Sequence, residues 1–362
     1  MDPITQQGFS AAAGAGDSGH TLAVAIKFSN QPFRVYPVDD NGFGTAYSNP
    51  STMLQQTGYW VEWHPDGDVV AFYQQGNISI YPFSAATGLG TKYAAQSDSF
   101  SNGFFYRFAW APDGDHIVHT YDSSSYRNFA AYAFSKSSGL GTRLTDSSSN
   151  VQYCQGVKFN HAGNVVFITG YDHSANKNSV MAYAWNNGFG SQYSSHGTNL
   201  SGVPNQISVH PDDDAVAIAV NETSRALRAF RWNNSTGWGT QFSVPSHGAS
   251  GKGHDVAFST SGEDVAVAIR ASVPLEVFPW TYSGGFGTRY NNPSSYTSNH
   301  GNGVAFSNDD AYIACGHNTS PFISAWPWTH HSSGGSNGGF GTRFSNPSTT
   351  PNDDGFGVRF NP

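Results

Sequence analysis

The sequence predicts an all-β fold: a seven-bladed β-propeller with four antiparallel strands per blade, its ring closed by a blade shared between the N- and C-termini. Three observations lead there. The string Gly-aromatic/Leu-Gly-Thr/Ser begins at Gly42, Gly88, Gly139, Gly188, Gly237, Gly285 and Gly339, seven copies spaced by 46, 51, 49, 49, 48 and 54 residues. The segments between copies read as short strands bounded by Gly, Asn, Asp, Ser and Pro, and none carries a 3.6-residue apolar period. Each end of the chain holds the part of a repeat that the other end lacks.

Each repeat is built from the same pieces in the same order. An apolar-x-aromatic step enters a turn, as in Val61-Glu62-Trp63-His64-Pro65-Asp66-Gly67 and Phe108-Ala109-Trp110-Ala111-Pro112-Asp113-Gly114. A run rich in Val, Ile and Ala follows, for example Val69–Tyr73, Val165–Thr169 and Val265–Ile269. The third piece ends in two bulky residues around a smaller or polar one: Tyr36-Pro37-Val38, Tyr81-Pro82-Phe83, Tyr183-Ala184-Trp185, Phe278-Pro279-Trp280 and Trp326-Pro327-Trp328. Proline cannot donate to a ladder, so Pro37, Pro82, Pro279 and Pro327 are placed near the strand end, beside a short outer strand. The glycines of the GFGT string then supply a tight bend at positive φ. A four-stranded unit of about 49 residues fits a propeller blade. The chain ends argue against an open solenoid, which needs polar caps. Thr21–Ile26 and Phe33–Val38 supply a second and third piece, and Gly357–Phe360 a first piece. Residues 1–18 fall outside the repeat and read as a flexible arm, with the propeller over 19–362.

Composition narrows the function classes. Of 362 residues, 42 are charged (17 basic and 25 acidic), or 12%, against about 25% in globular proteins. Aromatics reach 15%, which excludes a disordered chain. A net charge of −8 without a Lys/Arg cluster excludes phosphate-directed nucleic-acid binding. No stretch is long and apolar enough to span a membrane as a helix. The first twenty residues carry neither a basic nor an apolar segment, so no Sec signal is expected. Cys154 and Cys315 are the only thiols and fall in separate blades, so no bridge is expected.

The PDG turn and the apolar run resemble the WD40 class of propellers, although no GH dipeptide stands at the matching place. The third strands end in pairs such as Pro-Trp or Ala-Trp, never Trp-Asp. A closer resemblance is to propeller repeats of tailed-bacteriophage virion proteins, carried by Gly285–Ser294, Asn302–Ser307, Ser320–Trp328 and Gly339–Ser348 and extending over residues 20–362. That resemblance implies a virion component of a tail, a fibre or a decoration.

A search for chemistry returns few candidates. The Asp212–Asp214 and Asp309-Asp310 groups occupy turns, where Asp is favoured by local hydrogen bonding. His64 and His210 stand at a turn position held elsewhere by Ser259 and Ser307. No Walker loop or GxSxG elbow occurs, and neither cofactor nor metal is expected. Recognition is assigned to loops before the first strand: Tyr59, Trp60, Tyr106, Arg107, Asn205, Gln206, His254, Asp255 and Asn302, a rim that varies while the frame repeats. Glu62, Lys158 and Arg359 share the middle position of the first strand, where others have Ala109, Ser208, Ala257 and Ala305. Ion pairing along the axis is expected of them.

The resulting expectation is a non-enzymatic assembly or display protein of a phage virion. Its partners would be other virion proteins, through the arm, and host surface glycan. The alternative is a carbohydrate- or receptor-binding adhesin. A further alternative is a propeller hydrolase or lyase, for which Asp255, His254 and Arg107 are the scattered acid/base candidates.

Overall fold

The structure, a computed structural model, describes residues 19–362 apart from 28–29, 51–52, 54–55, 75–76, 95–103, 123–127, 145–150, 195–199, 247–250, 294, 297–298 and 331–337. The expected N-terminal arm, 1–18, lies outside the described residues. The described chain is all β, and every strand pairing is antiparallel. No helix is long and apolar enough to cross a membrane.

The repeat folds as an up-and-down meander. In one unit, Gly58–Trp63, Val69–Gln74, Asn77–Ser84 and Gly88–Leu89 pair in that order, and Val203–Val209, Ala215–Asn221, Leu227–Asn233 and Gly237–Gln241 do the same. The second strands, such as Ala215–Asn221, are buried at every position but the last, so they lie covered on both faces and consist of small and β-branched residues.

Hydrogen bonding does not divide the chain into seven separate sheets. Four sheets have four strands, one has five, and the remaining sheet has eight. The five-stranded sheet arises because its first strand is broken into Val151–Gln152 and Val157–Phe159, both paired with Val165–Asp172. The eight-stranded sheet joins two meanders through Arg270↔His300 and Ala271↔Asn299. Five sheets of blade size plus one fused sheet are therefore observed where seven separate blades were expected. The terminal strands do pair: Leu22, Ala23 and Val24 lie opposite Phe360, Arg359 and Val358.

Units pack through one recurring contact. The residue three places after the second glycine of each GFGT string donates its N–H to the third strand of its own unit, as in Tyr93 N to Ile80 O at 3.0 Å and Phe242 N to Ala229 O at 2.9 Å. Its ring then lies against the first glycine of the next string. Tyr47 meets Gly88, where a Cβ would come within 2.9 Å of the ring and φ is 75°. The same pairing links Tyr93 to Gly139, Tyr193 to Gly237, Phe242 to Gly285, Tyr290 to Gly339 and Phe344 to Gly42. Leu144 is shorter and leaves open space at Gly188; there Asn187, at φ 54°, takes the left-handed turn instead. The rings also meet the next unit's bulky third-strand residue edge-on, as in Phe242–Trp280 at 4.7 Å and Tyr290–Trp328 at 4.9 Å. Such pairs contribute about 0.5–1.5 kcal/mol each beyond area burial.

Proline sets the length of the outer strand. Units with Pro37, Pro82, Pro279 and Pro327 end in two-residue outer strands. Where Ala133, Ala184 and Arg231 stand instead, the outer strand runs for five, four and five residues. A proline nitrogen has no proton to extend the ladder.

Candidate active site

The first strand of each unit runs along the axis, and it carries a bulge. Registers shift at Tyr59, Tyr106, Asn205, His254 and Asn302. The strand Gly355–Phe360 shifts opposite Val24–Ile26. An extra residue re-aims its own side chain and those beside it. The residues assigned from sequence to a rim of loops are thus inside strands. Tyr59, Tyr106, Asn205, His254 and Asn302 are the bulged residues, and Trp60, Arg107, Gln206 and Asp255 are the ones that follow.

The second group is buried. Trp60, Gln206 and Asp255 are almost wholly inaccessible, and Arg107 is buried as well. They form a plug across the axis. The Arg359 Nε donates to Glu62 Oε1 at 3.0 Å, and its Nη1 to Asp255 Oδ2 at 3.0 Å. Trp60 Nε1 donates to the same Glu62 oxygen at 3.0 Å. The guanidinium groups of Arg359 and Arg107 lie over the Trp60 indole, 4.3 and 4.5 Å from a ring centroid, an attraction that strengthens when desolvated. Arg107 donates to the carbonyls of Asn205 and His254, both at 2.9 Å. Gly357 makes room for the indole: a Cβ there would lie 2.9 Å from it. Burial works to lower the Arg359 pKa, but the Asp255 and Glu62 carboxylates outweigh it and raise the value above the ordinary one. The axial ion pairing expected of Glu62 and Arg359 is present; Lys158 takes no part in it, and Asp255 does.

Of the bulged residues, Asn205, His254 and Asn302 sit at one end of the plug and reach from unit to unit. Asn205 Nδ2 donates to Gly253 O at 2.6 Å and Asn302 Nδ2 to Gly355 O at 3.1 Å. His254 Nδ1 bonds to Asn302 O at 2.6 Å. A carbonyl only accepts, so Nδ1 carries the proton and Nε2 presents a lone pair. That lone pair accepts from the exposed Arg270 Nη2 at 3.0 Å. Burial, with Arg107 and Arg270 nearby, holds the His254 pKa well below the ordinary histidine value. His254 is therefore a neutral imidazole of fixed tautomer. Phe356 lies 6.1 Å from its ring and 6.0 Å from that of Tyr59, and Lys27 pairs with Asp354 at 3.7 Å beside them.

Of the three acid/base candidates, only His254 keeps a usable atom. Asp255 Oδ1 accepts from Val256 N, and Oδ2 accepts from Val304 N and Arg359. Arg107 is spent on backbone carbonyls. Arg270 and Phe356 were not singled out from sequence. Arg270 ends an apolar run, and it comes opposite the bulge only through the register Lys252↔Arg270, which the bulge itself creates.

At the other end of the strands, the turns clasp neighbouring units. His64 Nε2 donates to Gly114 O at 3.1 Å while Nδ1 accepts from Asp66 N at 3.1 Å; His210 repeats this with Gly262 and Asp212. The carboxylates of Asp66, Asp68, Asp212 and Asp214 surround these rings closely enough to suggest a cation. Both nitrogens of each ring are already engaged, so these clusters are fitted to clasping rather than to ligation. Asp213 accepts from the His161 and Ala162 amides in the same manner, and Asp310 from those of Thr260 and Ser261. Cys154 and Cys315 are both buried and unbridged.

Neither a family model nor a curated protein sequence matches this chain. Solved structures do. A candidate 6-phosphogluconolactonase of Bacteroides uniformis superposes with a TM-score of 0.70 at 12% identity, covering 95% of this chain and 100% of its own. Another, from Bacteroides fragilis, gives 0.68 at 12% identity over 95% and 98%. The periplasmic gluconolactonase of Pseudomonas aeruginosa gives 0.69 at 14% identity over 95% and 99%. These neighbours carry lactonase names. At this identity the likeness is one of fold, a propeller over nearly the whole chain. It nevertheless corrects the expectation of a non-enzymatic phage virion component: the three neighbours are named as lactonases, and the phage resemblance is not supported.

Proposed function

We propose that this chain is a propeller hydrolase acting on a cyclic ester, a lactone of sugar type, at the bulge end of its axis. We further read the eight-stranded sheet as two blades, giving seven blades in a closed ring. The pairing of Ala23 with Arg359 and the seat of Phe344 on Gly42 support that closure.

The observation that carries the catalytic reading is His254, neutral, oriented by Asn302 O, with its Nε2 lone pair facing the Arg270 guanidinium. Lactone hydrolysis needs a base for water and a positive charge for the oxygen that becomes anionic. In the proposed reaction, Arg270, which is exposed and able to swing, turns from Nε2 to the substrate carbonyl oxygen. His254 Nε2 then takes a proton from water as its oxygen attacks the carbonyl carbon. The ring C–O bond breaks, and the imidazolium returns the proton to the departing alkoxide, leaving a hydroxy acid. The plug behind His254 keeps this site closed to water along the axis. Tyr59 and Phe356 offer faces for the CH groups of a sugar ring. The lactonase names of the structural neighbours point to the same class.

The test is turnover of glucono-δ-lactone and its 6-phosphate by the purified chain, corrected for spontaneous hydrolysis. His254→Gln is expected to lower kcat by about 10²-fold or more, and Arg270→Met to lower it while leaving the fold intact. Because the His254 pKa is lowered, kcat/KM should hold its plateau to a pH below about 6.5, the ordinary histidine value. Equal rates for the parent chain and His254→Gln would overturn the reading.

A further inference from the structure

At the turn end of the axis, on the far side of the plug from His254, lies a cavity of about 410 Å³, within the range of small-molecule sites. It exists because the channel-facing positions of three successive units are small. Ser208, Ala257 and Ala305 stand where other units have Glu62, Lys158 and Arg359, and all three line the cavity with Lys158 and Arg359.

Lys158 and Arg359 are the Lys and Arg side chains that line the cavity, and Glu62 and Asp255 are the carboxylates beside Arg359. The two carboxylates are both bound to Arg359. Lys158 makes no ion pair among the described residues, and it extends into the cavity wall. Beside it, Ser208 Oγ accepts from Phe258 N at 2.9 Å, which leaves the hydroxyl proton to donate. An ammonium without a carboxylate partner, next to a hydroxyl donor in a partly enclosed space, is a set of donors lacking an acceptor.

We propose that this cavity binds a small oxyanion, a phosphate or a carboxylate no larger than a sugar acid, with Lys158 as its cation and Ser208 as a hydrogen-bond donor. The site is separate from the one built on His254 and does not rest on the lactonase reading.

Calorimetric titration of the full chain, without any lactone present, tests it. The probes are inorganic phosphate and gluconate, each at matched ionic strength in sodium chloride. One-to-one binding of phosphate, of gluconate or of both supports the proposal, and the pattern tells a phosphate ligand from a carboxylate. Lys158→Met is expected to weaken binding by roughly tenfold or more, the loss of one charge-assisted hydrogen bond. Ala257→Leu keeps every charge and fills the space, so it should also abolish binding; its thermal unfolding curve reports that the fold is retained. No binding by the parent chain, or binding left unchanged by Lys158→Met, overturns the proposal.

Discussion

The rim and the axis of this molecule are made from the same repeat and are organised in opposite ways. At the rim, nearly every unit seats a Tyr or Phe ring on the same glycine and makes the same backbone bond from the residue that carries the ring. Along the axis, equivalent positions hold Trp60, Arg107, Gln206 and Asp255, with Gly357 in the terminal strand, and each makes contacts that none of the others makes. A contact between neighbouring blades is met once per repeat, so one solution serves throughout. The axis is a single space filled from several sides at once, and identical residues there would bring like charges or several indoles together. Variation at the axis is thus a packing requirement before it is a functional one, and it also gives His254 and Lys158 surroundings of their own.

The largest effect should come from breaking the axis. Arg359→Met leaves Glu62 and Asp255 buried beside one another without their shared cation. Removing one partner of a buried pair costs about 3–5 kcal/mol, read as a shift in the urea midpoint. The rim offers the contrast. Lys136 bridges Asp66 and Asp68 at 2.6 and 2.8 Å, with the carboxylates more than half exposed. Lys136→Ala should change stability by about 1 kcal/mol or less. Comparable losses from the two substitutions would erase the distinction between axis and rim.

Acid should find the interior next. Burial, aided by Arg143, pulls the His119 pKa down to about 3, burial takes His317 to about 4, and His254 is lowered as well. The folded state holds these rings neutral, whereas the unfolded chain protonates them near pH 6.5. Their contribution is therefore complete above that value and is lost as pH falls toward the folded pKa values. Each ring removes about 1.4 kcal/mol per pH unit in that window. Stability measured by urea unfolding should fall steeply from pH 7 to pH 5, before the carboxylates titrate. A flat profile over that range would show that these rings are not neutral in the folded state.

The same contrast decides how much could be read from the sequence. Strand order, the turns, the pairing of the chain ends and the proline effect are written in each repeat, and spacing alone exposes them. The bulge is also periodic, but an extra residue breaks the alternation by which strands are recognised, so the sequence reads there as a loop. That error put Tyr59, His254 and Asn302 on a displayed rim and hid the burial of Trp60 and Asp255. Pairings such as Arg359 with Asp255 join residues 104 positions apart, a separation no repeat encodes. The virion expectation came from repeat wording, which records how blades pack and leaves the axis unspecified.

The smallest effect belongs to the outer strands, and there the sequence makes its own control. Ala133 stands where Pro82 does in the preceding unit, and its unit extends its outer ladder to Tyr132↔Arg143. The Pro82 unit stops at Phe83↔Leu89 and Ser84↔Gly88. Both units keep the inner bond, Leu144 N to Ala131 O at 2.8 Å and Tyr93 N to Ile80 O at 3.0 Å. Only the bond that needs a proton on the middle residue separates them. Ala133→Pro should therefore shorten its outer strand to two residues at a cost of about 1 kcal/mol. Ala133 itself loses its exchangeable proton, so the shortening would be read as a shift of the Thr142 carbonyl resonance, which loses its donor, with the Leu144 amide still protected from exchange. Pro82→Ala restores the donor, but lengthens its partner strand only if the residues after Leu89 turn to meet it. If protection at Leu144 fell as well, the inner bond and the outer ladder would be one cooperative unit, and proline would be doing more at the rim than ending a strand.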